Sequence, residues 1–121
     1  MSIVARIDKK SLMMILDGGV GEEHSVVIKF YAPHCQYCLN LADYYKEIAN
    51  SYNDVLFYAF NMEDDNGELE QKYGFYGIPT LFHIKTGGKK TKVTLMPDPD
   101  DPNEHTWYRT NDIKEFIDKH K

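Results

Sequence analysis

The chain has 121 residues, 42% of them hydrophobic and 27% charged, with a formal net charge of −5. That length suits one domain around one core, and the acidic balance argues against a nucleic-acid surface, which needs a concentrated basic face. With 2 cysteines in all, there is no framework of structural disulfides, so stability has to come from the core.

Ile3 to Ile7 reads as a short opening strand. Asp8 then caps a short helix carrying Leu12, Met13, Ile15 and Leu16, which Gly18-Gly19 ends. The run Leu12 to Leu16 is too short for a signal h-region or a membrane span, so the chain reads as cytoplasmic with no membrane partner. An initiator methionine can also be added to an excised domain, which leaves a secretory compartment open. Val26 to Tyr31 is β-branched and aromatic except for Lys29, the pattern of a strand covered on both faces, and Pro33 stops it.

Beyond Pro33, apolar residues fall at Cys38, Leu41, Ala42, Tyr45, Ile48, Ala49 and Tyr52, the spacing of one helix face. Cys35 therefore stands at a helix start, where unpaired N–H groups and about half a positive charge favour a thiolate and pull a thiol pKa from about 8.5 into the range of about 3.5–7.5. Cys38, one turn along and deeper, is the partner that would resolve a mixed disulfide. Two other readings of the pair are inert buried thiols and half of a zinc site. Zinc would need two more ligands from histidines such as His34, His24 or His83, which stand at no recognisable spacing, so no metal is assigned.

Val55 to Phe60 is another buried strand, and Asp65-Asn66-Gly67-Glu68 resembles a capping box that opens a helix closed by Gly74. Pro79 precedes the strand Thr80 to Lys85, Thr86-Gly87-Gly88-Lys89 reads as a hairpin turn, and Lys90 to Leu95 as an antiparallel return. Residues Met96 to His105 are acidic and proline-rich and continue neither strand nor helix, so they form a surface loop. Thr110 or Asn111 caps a last helix with Ile113, Phe116, Ile117 and His120 on one face. This alternation predicts an α/β fold, a mixed sheet with helices on both faces. Trp107 is expected to anchor the loop on the core beside Tyr108, and His24, His83, His105 and His120 to lie at the surface or the core edge.

The segment Phe30-Tyr31-Ala32-Pro33-His34-Cys35-Gln36-Tyr37-Cys38 resembles the active-site segment of thioredoxins and protein disulfide isomerase domains. Lys72-Tyr73-Gly74-Phe75-Tyr76-Gly77-Ile78-Pro79-Thr80-Leu81 is similar to the segment around the family's cis-proline. The resemblance spans about residues 3 to 121 and implies a single thioredoxin-like domain over 1–121, with the loop 97–106 as an insertion. It further implies a thiol–disulfide oxidoreductase that binds no cofactor, acts as a monomer on disulfide or dithiol proteins, and exchanges electrons with a partner such as a reductase. Cys35 and Cys38 would be catalytic, and Ile78, Pro79 and Thr80 would bind a substrate peptide like an added strand.

Departures from the family pattern cluster around the cysteines. His34 replaces tryptophan, Gln36-Tyr37 lacks the proline of thioredoxins, Leu39 replaces a lysine or arginine, and Lys29 replaces a buried Asp or Glu. A buried lysine has a depressed pKa and could take a proton itself or stabilise thiolates, unless it snorkels to the surface. His34, Lys29, Gln36 and Tyr37 are thus candidate redox-tuning residues. The same departures support an alternative, a peptide-binding or chaperone-like module of the same fold with little redox turnover.

Overall fold

The structure is a computed structural model that describes residues 3–88 and 90–121. Among these described residues five strands form one sheet in the order β1-β3-β2-β4-β5: β1 (Val4–Arg6), β2 (Ser25–Tyr31), β3 (Val55–Asn61), β4 (Thr80–Lys85) and β5 (Lys92–Leu95). β1, β3 and β2 run parallel, while β4 and β5 are antiparallel to their neighbours. The helices of the described residues are α1 (Lys9–Leu16), α2 (Gln36–Asn50), α3 (Glu68–Tyr73) and α4 (Thr110–His120), with a 3-10 turn at Met62–Asp64.

Strand alternation sorts the core into two layers. Val27, Phe57 and Leu81 face α2 and α4 and meet Leu41, Tyr45, Ile48, Ile113 and Ile117. Val26, Ile28, Phe30, Phe82 and Ile84 face the other way and meet Leu12, Ile15 and Leu16 of α1 and Leu69 of α3. The mixed sheet with helices on both faces is the topology the sequence pattern implies. Covered on both sides, β2 is buried from Val26 to Phe30.

Local signals explain most boundaries. The Asp8 carboxylate accepts the Ser11 N–H at 2.8 Å and caps α1. Asp65 accepts the N–H groups of Gly67 at 3.1 Å and Leu69 at 3.2 Å, so α3 starts as the Asp65-to-Glu68 pattern implies, although Gly67 holds the cap position with φ 92°. Gly74, at φ 72°, closes that helix.

Three expectations need correction. Neither Thr110 nor Asn111 caps α4: Thr110 is already helical and Arg109 stands at the cap position without a side-chain cap bond. The return strand begins at Lys92 rather than Lys90; Lys89 of the expected hairpin turn lies outside the described residues. His83 is not at the surface or the core edge but 2% exposed in β4, because that strand is covered on both faces.

Candidate functional site

The antiparallel placement of β4 beside β2 assembles the site. Register pairs Phe30 with Thr80, so the start of β4 and the end of β2 lie at the same edge of the sheet. The chain leaving β2 and the Ile78-Pro79 segment entering β4 therefore meet there, outside the carboxyl ends of the parallel strands, where open α/β sheets bind ligands. The Ile78-Pro79 bond is cis.

Cys35 is the N-cap of α2 in extended conformation, and its Sγ accepts the Cys38 N–H at 3.2 Å. Cys35 and Cys38 form a disulfide with a Cα separation of 5.2 Å. Cys35 is half-buried and its Sγ lies 3.8 Å from the Ile78 carbonyl oxygen. Cys38 is 2% exposed, facing the sheet. The pair thus has an outer and an inner sulfur, with a helix N-terminus aimed at the outer one. Pro79 and Thr80 are buried, and the Thr80 hydroxyl donates to the Gly77 carbonyl at 2.7 Å, fixing the loop that carries Ile78.

The candidate tuning residues take different positions. His34 is exposed with Nδ1 3.9 Å from Glu63 Oε1. Gln36 turns along the helix and donates to Asn40 at 2.8 Å, away from the sulfurs. Lys29 does not snorkel: it is 5% exposed, and its ammonium lies 5.0 Å from the Tyr45 ring centre and 5.8 Å from that of Tyr31. Burial, reinforced by the nearby Lys46 charge, lowers its pKa to about 8.

Tyr37 meets Trp107, ring centres 5.7 Å apart. Trp107 does pack on the core beside Tyr108, as expected of it, but it also reaches the dipeptide between the two cysteines, a contact sequence reasoning missed. Trp107 adopts φ 66° and pairs with Asn103 in an isolated bridge, and Asn40 donates to the His105 carbonyl at 2.8 Å. The acidic loop is thereby fastened along the start of α2. No sequence signal announces this, because a tryptophan in left-handed backbone follows no local rule.

An accessible sulfur at a helix N-terminus, a buried sulfur one turn on, and a proline loop alongside place the chain among proteins of thioredoxin fold. The family profile described as Thioredoxin matches residues 9–100, and the chain belongs to that family. Protein disulfide isomerase-like 1-2 of Oryza sativa subsp. japonica is 34% identical over 93 residues, which cover 69% of this chain and 18% of that protein. The chain is also 32% identical over 74 residues to the chloroplastic thioredoxin M5 of the same organism, covering 61% of this chain and 43% of the relative. Trichomonas vaginalis thioredoxin superposes with a TM-score of 0.65 at 27% identity, over 98% of this chain and 97% of that one. The chain thus spans less than a fifth of the isomerase-like relative. Among the described residues no helix is long and apolar enough to cross a membrane.

Proposed function

We propose that residues 1–121 act as one thioredoxin-like domain that exchanges disulfides with protein substrates, Cys35 attacking and Cys38 resolving. The observation that carries this reading is the asymmetry of the pair: Cys35 Sγ is half-exposed and accepts a helix N-terminal N–H at 3.2 Å, whereas Cys38 is buried. In the reducing direction the Cys35 thiolate attacks a substrate disulfide, forming a mixed disulfide and expelling one substrate thiolate. Deprotonated Cys38 then attacks Cys35 Sγ, closing the intramolecular disulfide and releasing the second substrate thiolate, so that the protein dithiol is oxidised as the substrate is reduced.

Ile78, Pro79 and Thr80 receive the substrate. The Ile78 carbonyl beside Cys35 Sγ suits a peptide that pairs with this edge as an extra strand. Lys29 tunes the inner thiol, since an amine of pKa about 8 is partly neutral near pH 7–8 and can take the Cys38 proton. His34, Gln36 and Tyr37 act from outside the pair, through the charge near the helix start and through the Trp107 contact. One chain carries every group used, so a monomer suffices, without a cofactor; a reductase or oxidase resets the pair.

Cys35→Ser is expected to abolish reduction of insulin disulfides, and Cys38→Ser to trap the mixed disulfide; full turnover by Cys35→Ser overturns the assignment. Thiol trapping in glutathione buffers fixes the direction. A potential near about −270 mV fits a cytoplasmic reductase, and one near about −180 mV fits an oxidant or isomerase of a secretory compartment.

A further inference from the structure

We infer that a cleft beside Cys38, distinct from the substrate edge at Pro79, is a binding site for a small oxyanion, a carboxylate or phosphate group, held between Lys29 and Arg6. The sheet register builds it. Arg6 of β1 and Lys29 of β2 both pair with Ala59 of β3, so the three stand side by side on one face. Two strand spacings place the Arg6 and Lys29 backbones about 10 Å apart, a gap that two long cationic side chains can close on one ion. Between them Ala59 contributes only a methyl group. Opposite, α2 presents Cys38, Ala42 and Lys46 at four-residue intervals, again with alanine in the middle. The two alanines leave a pocket of about 350 Å³ into which Arg6, Lys29, Lys46 and Cys38 all open, with no carboxylate on its walls.

Among the described residues no carboxylate lines this pocket to meet its charge. In a chain of net charge −5, Lys9, Lys72, Arg109 and Lys121 pair with carboxylates, while Arg6, Lys29 and Lys46, like several other lysines, join none of the ion pairs among the described residues; what sets these three apart is that they share one pocket. The Lys29 side chain is 5% exposed, and among the described residues its ammonium, with three donors, lies over the faces of Tyr45 and Tyr31. Aromatic faces attract a cation but accept no hydrogen bond of ordinary strength, so the donors that open into the pocket are free to take an acceptor from solvent or from a ligand. An oxyanion supplies both charge and acceptors, and a neutral or cationic ligand does not. Its seat against Cys38 ties occupancy to the resolving half of the exchange, a consequence that rests on the proposed function; binding itself does not.

The test uses oxidised protein with isotope-labelled lysine, titrated with inorganic phosphate and separately with acetate at constant ionic strength, chloride making up the balance. The Lys29 side-chain resonances should shift along a saturating curve with at least one of the two. Phosphate alone identifies a phosphate ligand, acetate alone a carboxylate, and both the shared chemistry. The apparent affinity should fall at least tenfold in Arg6→Met, which changes an exposed residue, and in Ala59→Leu, which keeps Lys29 and fills the pocket, and should hold in Lys92→Met on β5. Shifts that stay linear with concentration for both anions, or that saturate equally in Arg6→Met and Ala59→Leu, overturn the site. Because no turnover is measured, that failure would leave the exchange reading untouched.

Discussion

Burying the Lys29 ammonium penalises the folded chain whenever that group is charged. Its pKa is about 8 in the fold against 10.5 for the free side chain, so the folded state releases its proton first as pH rises. Below pH 8 both states are protonated and the penalty is complete; it fades between pH 8 and 10.5 and is gone above. The shift corresponds to about 3 kcal/mol. Lys29→Met should therefore be more stable than the parent by up to about that amount in urea unfolding at pH 7, with the difference shrinking towards pH 10.5. The same variant should slow release of the mixed disulfide at pH 7 and flatten that step's rise between pH 7 and 9. Gain in stability with loss of rate separates a tuning role from a packing role. The positions of Cys35, Cys38 and Pro79 could be read from the sequence because each lies in a short local motif, whereas for Lys29 the apolar run of β2 left burial and snorkelling both open, and the packing of α2 over that face decides for burial. The Tyr37–Trp107 contact could not, since it joins residues far apart in the chain through a loop without periodicity.

At the scale of elements, β4 and α4 meet through a histidine. His83 is 2% exposed, shares a 2.6 Å hydrogen bond with Ser25 Oγ, and faces the rings of Phe116 and His120 at 6.4 and 5.9 Å. Burial, then the charges of His120, Lys85 and Lys92, lowers its pKa to about 4. The unfolded chain takes up this proton near pH 6.5 and the folded chain only near 4, so stability falls as pH drops through that window, by up to about 3 kcal/mol from this group. His83→Gln, which can keep the bond to Ser25, should remove most of that fall when unfolding is followed from pH 7 to pH 4. At the start of α3, Asp65 joins two cap bonds to an ion pair with Lys9. Asp65→Ala should cost about 2 kcal/mol, seen as a lower Tm at pH 7. These element ends show what sequence can supply. Asp8, Asp65 and Gly74 act through bonds or backbone preferences within a few residues of themselves, so their types announce them. The start of α4 has no side-chain cap to announce it, and the depth of His83 depends on which strand occupies which place in the sheet.

For the whole molecule, the sheet order brings local motifs to one edge, and the acidic loop is fastened beside them by Asn40 and Trp107. Asp98, Asp100, Asp101 and Glu104 are exposed on that loop, and in the ion pairs among the described residues only Asp101 of the four takes part, with Arg109 at 3.1 Å. Asp43, Asp112 and Glu115 line the neighbouring groove between α2 and α4. With a net charge of −5, this concentration of carboxylates on the loop fastened beside the disulfide is expected to give the approach to Cys35 a negative potential. Such a field raises the encounter rate of cationic substrates and lowers that of anionic ones, and salt screens it over a Debye length of about 10 Å at 0.1 M. Disulfide-linked peptides of equal length with lysine flanks should thus be reduced faster than those with glutamate flanks, by about tenfold at 20 mM salt and less than about twofold at 0.5 M. Replacing Asp98, Asp100 and Glu104 together by asparagine or glutamine should shrink the low-salt difference while leaving the high-salt rates in place. Equal rates for both peptides at low salt would mean that the loop's charge does not reach the sulfurs.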